Sequence, residues 1–310
     1  MKVNFLTSNF NAYKTTFAPG QLKREQVQSN NNLSLIKHDV YIKPAVSFGM
    51  TKEQILEKNL SLLVRKYSSG ENPVIKNVKE GFISRVCNDL IKSEKSIIVG
   101  VTGESASGKS AFFENVKVAF NKQKPVVEVI KGDNFYYDQS HLAAGKLSAA
   151  DVFLEQGGSF DDPKSVNLKL FNNKLLELKD GKTINIPDYQ YGVCVSTPDK
   201  HTIEPRKVVC VDSIFALRPE LEDVVDIGIY VDCKPEILRE RWFERAPSRN
   251  IFREEAEKQF KDVKEKAQTY IIPTKEQADV ILNGEASLAK VEEFVNELHN
   301  IFKHPAPSLV

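Results

Sequence analysis

Long hydrophobic runs, clustered cysteines and an excess of charge of either sign are all missing from this chain of 310 residues. No stretch approaches the ~18 successive apolar residues of a membrane-spanning helix, so no membrane partner is expected. The opening MKVNFLTSNFNAYK has one early lysine but no continuous apolar segment, and a secretory signal is not expected either. Only four cysteines occur, Cys87, Cys194, Cys210 and Cys233, and no two form a C-x-x-C pair. Reduced thiols in a cytoplasmic protein fit that spacing better than disulfides or a zinc site. Lysine and arginine number 43 against 42 aspartates and glutamates, a formal net charge of +1. Such a balance leaves no electrostatic footprint for nucleic acid, so none is expected as a partner. There is no internal repeat.

What is present is globular: 41% hydrophobic and 27% charged residues, enough chain for one large domain and more. Residues 1–50 stand apart. Their QLKREQVQSNNNLSLIKHD is polar, rich in Asn and Gln, and without lasting periodicity, which reads as a disordered N-terminal tail. Order is expected from Thr51, which can cap a helix whose Ile55, Leu56, Leu60 and Leu63 share a face. Ser68, Ser69 and Gly70 end it. In the segment that follows, Ile75, Val78, Phe82, Val86 and Leu90 recur at helical spacing and predict a second helix. Residues 51–94 are thus expected as N-terminal helices packed on the core, ahead of a main domain over 95–305.

That domain alternates. SIIVGV, PVVEVI, KVVCVD, DIGIYVD and ADVILN are short runs rich in β-branched residues. Continuous rather than alternating apolarity predicts strands buried on both faces, hence a mostly parallel sheet. Helical patterns fall between them, at 109–122, 163–179, 234–246, 251–269 and 286–302. The expected fold class is α/β, a doubly wound sheet flanked by helices. KTINIPDYQY and KHTIEP predict a small β-hairpin insertion beside it.

Directly after the first of these strands stands VTGESASGKS, with Gly103, Gly108, Lys109 and Ser110 at the spacing G-x-x-x-x-G-K-[ST]. A chance match occurs in roughly 1% of chains this long. The setting between a buried strand and a helical segment is the one the motif requires. Lys109 would stand at the positive end of a helix, where a cation is disfavoured. A phosphate removes that conflict. Backbone N–H groups of residues 104–110, among them Ser105, Ala106 and Ser107, would surround it, Ala111 at the start of the helix would also contact the nucleotide, and Lys109 would pair with its outer oxygens. Ser110 offers a hydroxyl to Mg²⁺. The reading is a P-loop that takes ATP and Mg²⁺.

Three further stretches bear on what is done with the phosphate. Asp133, in VIKGDNFYYD, follows the second strand at the carboxyl end of the sheet, where ligands sit. It could take a proton from a substrate hydroxyl, or cap a turn. Asp212 ends the strand KVVCVD, the layout of a carboxylate that holds Mg²⁺, and also of an ordinary strand end. In RERWFERAPSR, Arg241 and Arg245 share a helix face and Arg249 lies in the loop beyond. Such a row can clamp a phosphoryl group or simply face solvent.

Taken together, GESASGKS, GDNFYYD, SFDDP, IPDYQY, KVVCVDSIFAL, IYVDCKPEILRERW and IPTKEQADVIL resemble the uridine kinase and phosphoribulokinase family over residues 95–285, uridine kinases most closely. The resemblance implies a P-loop NTPase fold and ATP-dependent transfer to a hydroxyl of a small-molecule acceptor, a uridine- or cytidine-like nucleoside first. It implies Asp133 as catalytic aspartate, Tyr136 as a substrate contact, Asp161 as holder of ribose hydroxyls, and Tyr189 and Tyr191 as the base pocket. Lys109, Arg241 and Arg245 would be catalytic, and Arg249 would contact the nucleotide. The chain departs from the family where a base-reading histidine gives way to Cys194 and an arginine to Ser196. The lid pair is Arg241–Trp242, and the usual L-E-G strand end is Val211–Asp212–Ser213. These departures keep open another acceptor, pantothenate or a sugar phosphate, and also an ATP-binding regulatory protein without catalysis. Self-association stays open as well.

Overall fold

The structure is a computed structural model that describes residues 49–122, 126–143, 148–249 and 251–303. The expected tail, apart from Gly49 and Met50, lies outside the described residues. A six-stranded sheet forms the centre, in the order β1-β8-β7-β2-β6-β3. Its strands are β1 (Ile75–Val78), β2 (Ile97–Thr102), β3 (Val127–Lys131), β6 (Val208–Asp212), β7 (Ile227–Asp232) and β8 (Val280–Asn283). All neighbours are parallel except β1, which runs antiparallel to β8. The antiparallel hairpin β4 (Ile184–Gln190) and β5 (Val195–Ile203) stands outside this sheet.

Continuous apolarity is explained by the two faces. On β2, Ile98 enters one core, while Ile97 and Val101 enter the other. On β6, Val209 and Val211 go one way and Cys210 the other. Helix α5 (Leu168–Lys179) closes the first face with Phe171, Leu175 and Leu178, all fully buried. Helices α1 (Lys52–Tyr67), α2 (Phe82–Lys92), α3 (Lys109–Phe120) and α8 (Leu288–Lys303) border the second. Thr51 caps α1 as expected, in a reciprocal capping box with Gln54. All four cysteines are free and buried.

The second N-terminal helix differs from expectation. Ile75–Val78 is a strand that pairs with β8, and the helix starts only at Phe82, behind Gly81 at φ 74°. The open edge of β8 supplies backbone partners that helical spacing over 75–90 could not announce. The helix expected from 163 starts at Leu168, where the Asn167 side chain accepts from the Leu170 N–H. Residues 163–165 form a 3₁₀ turn capped by Asp162 instead. A short helix α4 (Ala149–Glu155) was not expected, although Ser148 and Asp151 form its capping box. Between β7 and β8 run α6 (Pro235–Arg245) and α7 (Arg253–Tyr270).

Candidate active site

The loop between β2 and α3 sits at the carboxyl end of the central strand. Gly103 has φ 140°, and a Cβ there would lie 2.5 Å from the Val231 carbonyl oxygen; Gly108, at φ 108°, forms the cap of α3. Only glycine meets both demands without strain. Gly284, just after β8, backs the loop so closely that a Cβ would lie 2.1 Å from the Ser107 carbonyl oxygen. Its carbonyl also accepts from Arg241 Nη1 at 2.8 Å, which ties α6 to the same spot.

Lys109 is buried at the head of α3. Its ammonium donates to the carbonyls of Gly103 at 2.8 Å and Glu104 at 2.9 Å. Burial pushes its pKa down, while Asp212 and Asp161 pull it up. Around it opens a cleft of about 330 Å³. Ser105, Ala106, Ser107, Gly108, Ser110 and Ala111 line one side, and Asp133, Tyr136, Asp161, Tyr191, Asp212, Arg241, Arg245 and Arg249 the rest. The structure thus brings together every anticipated site residue except two. Gly103 acts from below, through its carbonyl. Tyr189 packs its ring against Tyr136, with centroids 5.1 Å apart, and does not reach the cleft.

The charges are set by burial. Asp133, in a 3₁₀ turn after β3, has its carboxyl pushed up by desolvation against the pull of Arg249 and Lys109. Asp161 is pushed up to about 6 by the same cause, against Lys109. Asp212 is raised too, by burial first. Two donors in the cleft lie buried without a protein partner among the described residues: the Ser107 hydroxyl and Arg245 Nη2. A buried guanidinium nitrogen without an acceptor is costly unless an anion comes to it. Unpaired donors, loop N–H groups and the Lys109 ammonium make a set that fits phosphate oxygens. For a metal, Ser110 and Asp212 share the cleft. No group of three or more His, Cys, Asp or Glu among the described residues could hold an ion. Mg²⁺ suits such a site, since it takes few protein ligands and the rest from phosphates and water.

The side of the cleft towards the hairpin is built differently. The Tyr136 hydroxyl donates to the Phe160 carbonyl at 2.7 Å. The Tyr191 ring lies on Phe160, centroids 4.4 Å apart, with the Arg249 guanidinium 5.4 Å from its centroid. Cys194, at φ 53° in the hairpin turn, is fully buried, and its thiol points to the Tyr191 carbonyl at 3.6 Å. The Ser196 N–H donates to Asp138 at 2.8 Å. Neither Cys194 nor Ser196 lines the cleft.

Some contributors were missed by sequence reasoning. Lys131, Ser213 and Ile214 line the cleft. Ser213 and Ile214 lie within KVVCVDSIFAL and Lys131 directly precedes GDNFYYD, which is the signal that could have found them. Lys264, on α7, pairs with Glu104 of the loop across 160 positions of sequence, and no local pattern marks it.

A parallel sheet whose central strand runs into a glycine loop, a lysine and a helix defines a P-loop nucleoside triphosphate-binding protein of the small-molecule kinase type. Residues 98–288 match the model of the Phosphoribulokinase / Uridine kinase family, and the chain belongs to that family. A uridine kinase of Shewanella frigidimarina (strain NCIMB 400) is 29% identical over 197 residues, covering 62% of this chain and 89% of the relative. One from Lactococcus lactis subsp. lactis (strain IL1403) is 31% identical over 192 residues, covering 61% and 88%. The solved phosphoribulokinase of Rhodobacter spheroides covers 62% of this chain and 71% of its own, at 16% identity and a TM-score of 0.43. No helix among the described residues is long and apolar enough to cross a membrane.

Proposed function

We propose that the protein transfers a phosphoryl group from ATP to a hydroxyl of a nucleoside, uridine or cytidine first. The observation that carries this reading is one buried cleft in which the unpartnered Arg245 nitrogen and Lys109 face Asp133 and Asp161. Likeness to proteins named uridine kinases supports the nucleoside. ATP with Mg²⁺, when bound, supplies the transferable phosphoryl group. Ser110 and Asp212 are the residues that would hold the metal. Asp133 orients the acceptor hydroxyl and takes its proton; a carboxyl raised by burial is a better base than a solvated one. Asp161 accepts hydrogen bonds from neighbouring hydroxyls, and Tyr136 and Tyr191 wall the acceptor. Lys109, Arg241, Arg245 and Arg249 neutralise charge. Positioning and electrostatics supply most of the rate in transfers of this kind.

The Cys194 thiol points to the Tyr191 carbonyl and neither Cys194 nor Ser196 lines the cleft, so a base would find no side-chain reader at either position. That observation favours, as a second reading, an acceptor without a nucleobase. ADP release over a panel of nucleosides, sugar phosphates and pantothenate separates the two. Turnover with uridine or cytidine well above the others supports the nucleoside. Turnover with a sugar phosphate alone moves the acceptor. ATP binding without turnover on any acceptor would sink the kinase reading.

A further inference from the structure

The second face of the sheet holds a larger space than the cleft. A cavity of about 690 Å³ lies between α1, α2, α3 and α8, with the sheet as its floor. Its walls are apolar: Leu60 and Leu63 from α1, Val86 from α2, Phe112 and Val116 from α3, and Leu298 from α8, over Val99 and Ile229 of the floor. A void of this size forfeits the packing contacts of all these side chains if dry, and exposes them to water if wet. Either state costs a large part of a domain's stability, so the space calls for an apolar occupant.

Its rim has one location and one sign of charge. Ile97, Val127 and Val208 begin their parallel strands, and Lys207 stands just before Val208. Lys122 follows the end of α3 and Lys303 ends α8. These rim residues all lie at the amino end of the strands, opposite the phosphate loop. Lys122, Lys207 and Lys303 are exposed, as are the apolar Ile91 and Val126 beside them. None of the lining residues is acidic. The Lys207 ammonium donates to the Ser93 carbonyl, which holds it at the rim. At roughly 30 Å³ per methylene- or water-sized group, the cavity takes about twenty of them. That is room for one long hydrocarbon chain with its head.

We propose that this cavity binds the chain of a long-chain fatty acid, with its carboxylate at the lysine rim. The site is separate from the cleft but shares α3 with it. Phe112 and Val116 wall the cavity on the helix whose first residue is Lys109.

The full chain is titrated with cis-parinaric acid, an eighteen-carbon fluorescent fatty acid, and the probe is competed away. Saturable binding of one equivalent is expected, displaced by palmitate. Affinity should rise by up to about fourfold per added methylene until the space is full. Hexadecanol, without the charge, and hexadecyltrimethylammonium, with the opposite one, should compete at least tenfold less well. The double variant Lys207→Glu, Lys303→Glu should bind palmitate at least tenfold more weakly while ATP affinity is unchanged. Ile83→Trp, which fills the cavity from α2, should remove binding and raise the melting temperature. Absence of saturable binding overturns the proposal, whether another part of the chain or a second copy fills the space. Equal competition by the ammonium amphiphile, or an unchanged rim variant, overturns it as well.

Discussion

The two halves of the cleft use their polar groups in opposite ways. On the phosphate half, donors wait: the Ser107 hydroxyl and Arg245 Nη2 are buried without partners among the described residues. On the hairpin side, where Cys194 and Ser196 lie outside the cleft lining, donors are already taken. Tyr136 serves Phe160, the Cys194 thiol serves the Tyr191 carbonyl, and Ser196 serves Asp138. A site made of backbone and cations recognises a charge and tolerates little variation. A site made of side chains on a hairpin can keep its shape while changing what it reads. The difference teaches that the anion-binding loop is fixed by the fold, whereas the hairpin side rests on a few exchangeable residues.

The comparison is broken most severely at Lys109. Lys109→Ala should remove measurable transfer and weaken ATP binding at least about tenfold, since it deletes the central cation of the phosphate half. Normal turnover in this variant would mean that the loop is not where the phosphoryl group is held. Asp133→Asn tests the seam between the halves. Transfer should fall by roughly 10²–10⁴ while ATP affinity stays within a fewfold, because asparagine keeps the shape but takes no proton. Asparagine serves about as well as aspartate in a purely structural turn, so an active variant would reduce Asp133 to a cap.

Asp161 gives a smaller, pH-dependent effect. Its carboxyl is raised from 3.8 to about 6 by burial. Acceptor kcat/KM should therefore fall as pH drops below about 6, roughly tenfold per unit, while the ATP affinity of the loop changes less. Stability moves the other way. A carboxyl whose folded pKa is raised keeps its proton longer in the fold, so the contribution of Asp161 to stability is fully present below about pH 4 and is lost as pH rises to about 6. That decline amounts to about 3 kcal/mol at most. Melting curves of Asp161→Asn should decline less across this window than those of the native chain; an unchanged slope would place the titration elsewhere. The smallest effect is expected at Cys194. Cys194→Ala should leave acceptor KM within about threefold and lower the melting temperature by a few degrees, from the lost packing. A tenfold rise in KM would show that the thiol reads the acceptor after all.

The phosphate half was legible because its chemistry is local. A strand, two glycines, a lysine and a serine are contiguous, and the torsions at Gly103 and Gly108 follow from them. Asp133, Asp161 and Asp212 could be placed because each ends a strand or opens a turn beside a recognisable motif. What escaped was made by distant pairing. β1 exists because β8 has a free edge, and four residues are too few to show a strand's alternation against a helical coincidence. Lys264 reaches Glu104 only once α7 is folded over the loop. Tyr189 alternates correctly along β4, yet its ring turns to Tyr136, because aromatic packing rather than spacing decides where it rests. The departures at Cys194 and Ser196 were visible, but their place outside the cleft lining was not.

Lys109 gives the phosphate loop an internal stand-in for its guest. With its ammonium on the carbonyls of Gly103 and Glu104, the loop is braced from within. An entering polyanion therefore meets a cradle already shaped and must win the lysine away from it. Association is then an exchange of partners at Lys109, not a simple addition. Small anions with one or two oxygens cannot match what they displace. A triphosphate, touching many donors at once, can. The brace thus acts as a threshold that screens ligands by how many charges they bring.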